Sequence, residues 1–334
     1  MLAPVMYGHT PFIDAAAVEA WDAWFRWRER DRLHDLSIEA TWQRVADGLS
    51  ERNGTDERDE LFAALASWRL LLDERILSSI GTAAPGWPGN RLVAVLNLPM
   101  FIRHRFTDQA RLDREALEAT AVVAVRALDD AMGLAGGPAR ESPQLRIGLI
   151  GVADALLMLG LRYCTQAARL EVAGVARVLA QGCLRGSVRL AAERGRLPGV
   201  LQQVVRRARV RGLDAALIED ASVHGVRHAG LTAITSQPRL ALFANNVADA
   251  LEPLRGEDQL KLVDPQRPGR AIRSSGYALT LLRRTPSFRA AVAPIDTMST
   301  TPVGAHLAMC HAVQRWIDEA VATPPSVLAR VGAD

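Results

Sequence analysis

Three cysteines, two histidine pairs and one arginine-rich run are the groups in this chain whose type and spacing could do chemistry. Cys164, Cys183 and Cys310 are odd in number and none forms a CxxC pair, which suits a reduced, cytosolic protein and not a disulfide framework. All three are read as small buried hydrophobes. His224 and His228 stand four apart, a spacing that can hold zinc on a helix. Gly225 weakens that helix and no third ligand is in view, so no metal site is assigned. His306 and His311 are five apart and would not share a helical face. Arg189, Arg194, Arg196, Arg206, Arg207, Arg209 and Arg211 crowd one stretch with Glu193 as its only acid. Nucleic-acid faces look like this, but no aromatic groups interleave, and a solvated face is preferred. No GxGxxG, P-loop or Gly-x-Ser-x-Gly is present.

The elements that must position these groups follow from periodicity and punctuation. The chain has 334 residues, about half of them apolar, with a net charge of +3 and Lys261 as its only lysine. That length supports one large domain or two ordinary ones. The N-terminal stretch lacks the basic-then-apolar order of a signal peptide. The longest apolar run, residues 147–161, is short for a membrane span and carries Asp154. Helices are predicted over 14–33 with Asp14 as cap, after Ser37, and over 57–80. Trp21, Trp24 and Trp27 fall near one face with Phe25 and read as core. "RLVAVLNLP" (91–99) reads as a buried strand closed by Pro99, and "LTAIT" (231–235) as a second. Further helices are predicted over 112–132, from Val152 to Leu161, from Thr165 to Arg194, in "SSGYALTLLRRTP", and in "PVGAHLAMCHAVQRWIDEAVA". Polar loops are expected at 81–90 and 255–275.

Several blocks, taken in order, resemble the large-subunit catalytic domain of ribonucleotide reductase, nearest in look to its adenosylcobalamin-dependent (class II) form. "VEAWDAWFRWRERDRLHDLSIEATWQRVADGLS" is similar to the family's helical lead-in and "LNLPMF" to its strand ending in Asn-Leu-Pro-x-Phe. "RIGLIGVADALLMLGLRYCTQAA" is similar to Arg-x-Ile-Gly-Leu-Gly-Val-x-Gly-x-Ala-Asp-x-Leu, with Ile150 where a glycine is usual. "HGVRHAGLTAI" resembles the lead into the phosphate loop, "LFANNVADALEP" the run Leu-x-Ala-Gly-Asn-Val-Ser-Ser-Gly-Ile-Glu-Pro, and "HLAMCHAVQRWIDEAV" the late His-x-x-Met helix.

The departures bear on function. The resemblance implies a thiyl radical, a carboxylate base and a cysteine pair that delivers two electrons. Family members are much longer, and nothing in residues 78–97 matches the segment that supplies the radical cysteine and the first reducing cysteine. The final "TPPSVLARVGAD" carries no recharging cysteine pair. No catalytic residue is therefore assigned, and adenosylcobalamin enters by resemblance only. In the family, the strand matching "LTAI" leads to Pro-Thr-Gly-Thr-Ile-Ser, whose N–H groups and hydroxyls hold phosphate. Here Ser236, Gln237, Pro238, Arg239, Leu240 and Ala241 stand in its place. Ser236, Gln237 and Arg239 are the candidate phosphate-binding residues of a weak anion site, with a structural turn as the alternative. Glu252, kept before Pro253, is a candidate pocket residue.

These readings predict a helix-rich α/β fold: a partial reductase-like barrel with a small, mainly parallel sheet wrapped by helices. Residues 1–82 would form a helical region and 83–334 a truncated reductase-like domain. Half a barrel exposes strand edges, which the chain's own helices, a second copy or a different subunit must cover. A homo-oligomer or a second reductase-type chain is expected, with a nucleotide as candidate ligand and neither membrane nor nucleic acid as partner. Three functions stay open: a non-catalytic binding or scaffolding subunit, which is preferred; a reductase completed by a second chain; and an unrelated enzyme with a pocket of Arg239, Glu252 and a nearby histidine.

Overall fold

Asp14 caps the first helix through its Oδ1, which accepts the Ala16 N–H at 2.8 Å. The computed structural model describes residues 12–30, 32–50, 54–82, 86–87, 91–135, 144–256, 258–263, 271–285 and 295–321. Parts of the loops at 81–90 and 255–275, and the C-terminal stretch after 321, lie outside the described residues. Helix α1 (Ala15–Ala20) runs into a π-helical turn, Trp21–Phe25. The helix predicted to reach residue 33 ends there. The chain reverses into a short antiparallel pair, β1 (Arg28–Glu29) and β2 (Arg32–Leu33). Buried Asp35 holds the reversal by accepting from the Trp27 N–H at 3.1 Å and from the Arg44 guanidinium at 2.8 Å. Trp21 and Phe25 enter the core, whereas Trp27 stacks on His34 at 3.9 Å.

Ser37 caps α2 (Ile38–Leu49), and α3 (Thr55–Ala66) follows. The single helix predicted over 57–80 is in fact three elements. Trp68 adopts φ 57°, Leu70–Leu72 form strand β3, and Asp73 caps α4 (Glu74–Ser79). Three consecutive leucines carry no alternation that separates a two-sided buried strand from a helical turn. All three have zero exposure, so packing on both faces decides it.

Then come β4 (Val93–Asn97), a 3-10 turn (Leu98–Phe101), β5 (Ile102–Arg103), β6 (Arg111–Leu112), α5 (Arg114–Leu134), β7 (Gln144–Ile150), α6 (Val152–Met158) and α7 (Gln166–Arg194). After these the chain forms α8 (Leu201–Arg211), α9 (Ala215–His224), β8 (Gly230–Thr232), α10 (Pro238–Phe243), β9 (Gln259–Lys261), β10 (Ile272–Ser274), α11 (Tyr277–Arg283) and α12 (Val303–Gln314). The last helix stops near residue 314, short of the predicted end. This is a helix-rich α/β fold with small sheets. The central sheet has the order β3-β4-β7-β8; β3 pairs antiparallel to β4, and the β4–β7 and β7–β8 pairs are parallel. Strand β3 ties the N-terminal segment into the sheet of the rest of the chain, and one hydrophobic cluster spans both.

Two features brace this sheet. Helices α5 and α7 approach closely because α7 presents glycines: a Cβ on Gly182 would lie 2.6 Å from the Glu118 carbonyl oxygen, and one on Gly186 would lie 2.9 Å from Val125. Behind them, buried Asp129 of α5 accepts from Arg227 Nε at 2.6 Å, Arg194 at 2.6 Å and His228 Nε2 at 3.2 Å. Burial pushes the Asp129 carboxyl up, but donation from His228 and Arg227 outweighs it and holds the group far below the usual carboxylate range.

The outer edge of β8 is closed by the chain itself. Asp318 Oδ2 accepts the Leu231 and Thr232 N–H groups at 2.8 and 3.1 Å, and Thr232 O accepts the Asp318 and Glu319 N–H groups at 3.2 Å. Arg211 holds the other Asp318 oxygen at 2.8 Å. The chain's own C-terminal segment, one of the covers expected for an exposed edge, thus occupies β8.

Candidate functional site

Parallel pairing sets the carboxyl ends of β4, β7 and β8 side by side, the place where open α/β sheets bind ligands. Residues 244–252 lie across this edge. Gly151, at φ 72° just after β7, donates its N–H to Ala248 O at 2.7 Å. Asn245 Oδ1 accepts the Ile13 N–H at 2.8 Å, and Asn246 Nδ2 donates to Ser274 Oγ at 2.7 Å. Asp154 of α6, with zero exposure, accepts the Ala248 and Ala278 N–H groups at 2.6 and 2.9 Å. Burial pushes its carboxyl up to about 6 against those two donors. One loop thus joins the N-terminus, α6, β7, β10 and α11.

The turn after β8 meets the same loop. Asp249, 3% exposed, accepts the Ser236 hydroxyl on one oxygen and the Gln237 backbone N–H, at 2.7 Å, on the other. Burial raises the Asp249 carboxyl, opposed by these two donors. The Gln237 side-chain amide donates to Thr235 Oγ1 at 3.1 Å. Pro238, at the first turn of α10, has no N–H to offer. Of the three candidate phosphate ligands, the structure joins Ser236 and Gln237 and sets Arg239 elsewhere. The Arg239 guanidinium lies 3.2 Å from Glu74 and 5.1 Å over the Trp24 ring. Glu252 is buried near Asp249 and lies 3.4 Å from Arg255.

Tyr163 carries a second relay. Its hydroxyl donates to Leu251 O at 2.6 Å, so it accepts from His306 Nδ1 at 2.9 Å. That tautomer leaves His306 Nε2 to accept the Cys310 S–H at 3.4 Å. Burial lowers the His306 pKa and pushes the Cys310 thiol up to about 11. Cys183 has zero exposure, and burial raises its thiol too. Cys164 is half-buried, 4.0 Å from Thr301 Oγ1, with its thiol raised by burial and then by Asp296. All three cysteines are free. Cys164 and Cys310 lie near Tyr163, which bonds the 244–252 loop through Leu251, and Cys183 lies within α7.

His224 ends α9, while His228 lies beyond Gly225 in the Asp129 network, so the two do not share a helix. His306 is buried and His311 exposed on α12. The arginine run is partly structural: Arg194 pairs with Asp129 and Asp130, and Arg207 and Arg211 reach Asp318. Among the described residues no helix is long and apolar enough to cross a membrane. Sequence reasoning missed Asp249, Asp154 and Tyr163. Asp249 had a signal, a carboxylate where the resembled motif has serine.

The backbone of this loop bears on the resemblance. Asn245 and Ala250 fall where the resembled motif has its two glycines, and both adopt left-handed φ, 64° and 46°. A family model described as ribonucleotide reductase, barrel domain, matches residues 92–261, just over half of the chain. The chain belongs to this ribonucleotide reductase family. The match runs from β4 to β9 and includes the parallel strands, the Ser236–Gln237 turn and the 244–252 loop. The chain is also similar to two curated proteins called vitamin B12-dependent ribonucleoside-diphosphate reductase, from Mycobacterium tuberculosis strains CDC 1551 / Oshkosh and ATCC 25618 / H37Rv. Each is 28% identical over 157 residues, which cover 45% of this chain and 20% of the relative. The matched stretch thus spans about a fifth of the length of these relatives.

Proposed function

We propose that this ribonucleotide reductase family member is a non-catalytic binding or scaffolding subunit built on part of the reductase barrel. The observation that carries the reading is the Asp249 carboxylate, which takes the Ser236 hydroxyl and the Gln237 N–H. Those are two of the donors that a phosphate would need, and a fixed carboxylate repels a second anion at the same place. Arg239 is drawn off to Glu74 and Trp24, and Arg255, whose charge reaches Asp249, is engaged by Glu252.

The thiols support the same reading. Vitamin B12 chemistry, carried over from the relatives' name, supplies a radical that a thiol at the substrate must receive. The three cysteines lie on α7, on α12 and in the α6–α7 connection, and none matches the family's radical or reducing cysteines, so this donor set does not fit the group. The alternative, a reductase completed by a second chain, would have to extend the sheet elsewhere than at β8, whose edge Asp318 occupies.

The test incubates the purified full chain with a ribonucleoside diphosphate, adenosylcobalamin and a dithiol, with calorimetric titration of the same nucleotide alongside. Neither deoxynucleotide nor nucleotide binding is expected. Turnover by the chain alone overturns the reading.

A further inference from the structure

Arg69 stands where α3 gives way to β3, and its half-buried side chain makes no ion pair among the described residues. Its guanidinium lies 5.5 Å over the Phe101 ring. The acid its charge reaches, Asp113, is already bonded by Arg103 and the Ala116 N–H, so an anion or water is needed to complete this partly buried cation. Arg69 also lies at the junction of two adjoining cavities. One, about 250 Å³, is walled by Arg69, Arg103 and His104 with Asp113 as its only acid. Asp113 is already committed: its Oδ1 accepts the Ala116 N–H at 3.0 Å and its Oδ2 takes Arg103. Two guanidinium charges thus face one carboxylate charge. The other cavity, about 1130 Å³, is an open groove across α3 and α5 whose apolar wall includes Phe62, Met100, Ala119 and Val123. Asp59, Glu60, Glu115 and Glu118 also line that groove, alongside Arg69, Arg105, Arg185 and Arg189; Arg58 engages Asp59 and Arg185 engages Glu118, each at 2.8 Å. His104 and Phe106 hold left-handed backbone, φ 51° and 62°, a strain often found at ligand clamps.

We propose that Arg69 and Arg103 hold the head group of a small organic anion, a phosphate ester or a carboxylate, whose apolar body lies along the α3–α5 groove. Planar guanidinium forks suit either head group, and the neighbouring apolar wall would bury the body. The site lies apart from the Asp249 turn and does not depend on the proposed function.

The experiment is calorimetric titration of the full chain with hexyl phosphate, hexanoate and inorganic phosphate. Wild type should bind at least one of the hexyl compounds, and the preferred one identifies the head group. Inorganic phosphate should bind at least about tenfold more weakly, since it has no body to bury. Arg69→Gln should weaken the preferred ligand by about tenfold or more. Ala119→Trp, at an exposed groove position, should weaken the hexyl ligand while leaving inorganic phosphate unchanged. Circular dichroism melting of both variants keeps a folding defect from passing as lost binding. Failure of wild type to bind either hexyl compound overturns the proposal, as does equal binding by wild type and folded Arg69→Gln.

Discussion

Asp249 Oδ1 lies 2.7 Å from the Gln237 backbone nitrogen, and the other oxygen of the same carboxylate takes the Ser236 hydroxyl. One side chain thereby pins the turn after β8 to the loop that crosses the sheet edge. Removing it leaves the Gln237 N–H, half-buried, and the Ser236 hydroxyl, on an exposed residue, without their acceptor. Asp249→Ala should lower unfolding free energy by roughly 1–2 kcal/mol, seen as a lower denaturant midpoint at unchanged slope. Asp249→Asn, which keeps one acceptor oxygen, should lose less. Equal stability of wild type and Asp249→Ala would show that the clamp carries no weight.

Asp154 predicts a pH dependence. Burial raises its folded pKa to about 6, above the unfolded value of about 3.9. Its protonation therefore contributes stability that is fully present below about pH 4 and lost as pH rises through about 6. A shift of two units corresponds to an order of 2–3 kcal/mol. Urea titrations at intervals between pH 4 and 7.5 should show this decline. In Asp154→Asn the decline over that window should flatten, from a lower starting stability because an amide cannot accept both the Ala248 and the Ala278 N–H groups.

Ala250 sits at φ 46°, a region where an L residue with a Cβ is strained by roughly 1–2 kcal/mol. Glycine escapes that strain but gives up some conformational entropy on folding. Ala250→Gly should therefore stabilise the chain by roughly 0.5–1 kcal/mol, measured as a rise in denaturant midpoint. Ala248→Gly, two residues away without a positive φ, should destabilise it. A destabilised Ala250→Gly would refute the strain.

How much of this was legible in the sequence depended on whether the signal was local. Asp14, Ser37 and Thr165 announced their helices, because a cap needs only its own neighbours. The strand before Pro99 was legible for the same reason. Leu70–Leu72 were not: their strand character comes from pairing with β4, far along the chain. The Trp27–Leu33 reversal depends on Asp35 and Arg44, which no periodicity of the first helix reveals. At the site, Ser236, Gln237 and Arg239 are read together by their places in the resembled phosphate loop; the structure bonds the first two to Asp249, a partner twelve or more residues away, and the Arg239 side chain turns toward Glu74. Tyr163 went unnoticed because its partners, Leu251 and His306, lie 88 and 143 residues away.

Asp318 offers a test of the partner question. Its carboxylate serves the Leu231 and Thr232 N–H groups on the outer edge of β8. Asp318→Ala removes the acceptor of the Leu231 and Thr232 N–H groups while leaving the backbone bonds to Thr232 O, and unpaired strand edges recruit other chains. The variant should lose roughly 2 kcal/mol or more and shift toward larger species in size-exclusion chromatography with light scattering. A variant that keeps the wild-type elution and midpoint would show that the edge needs no such guard.

The left-handed residues Asn245 and Ala250 carry a lesson for recognising distant kin. A search pattern that spells those two places with the letter G would pass over this chain, although its backbone still bends there. A signature that admits asparagine and alanine at those two places would recover cousins that a spelling test discards.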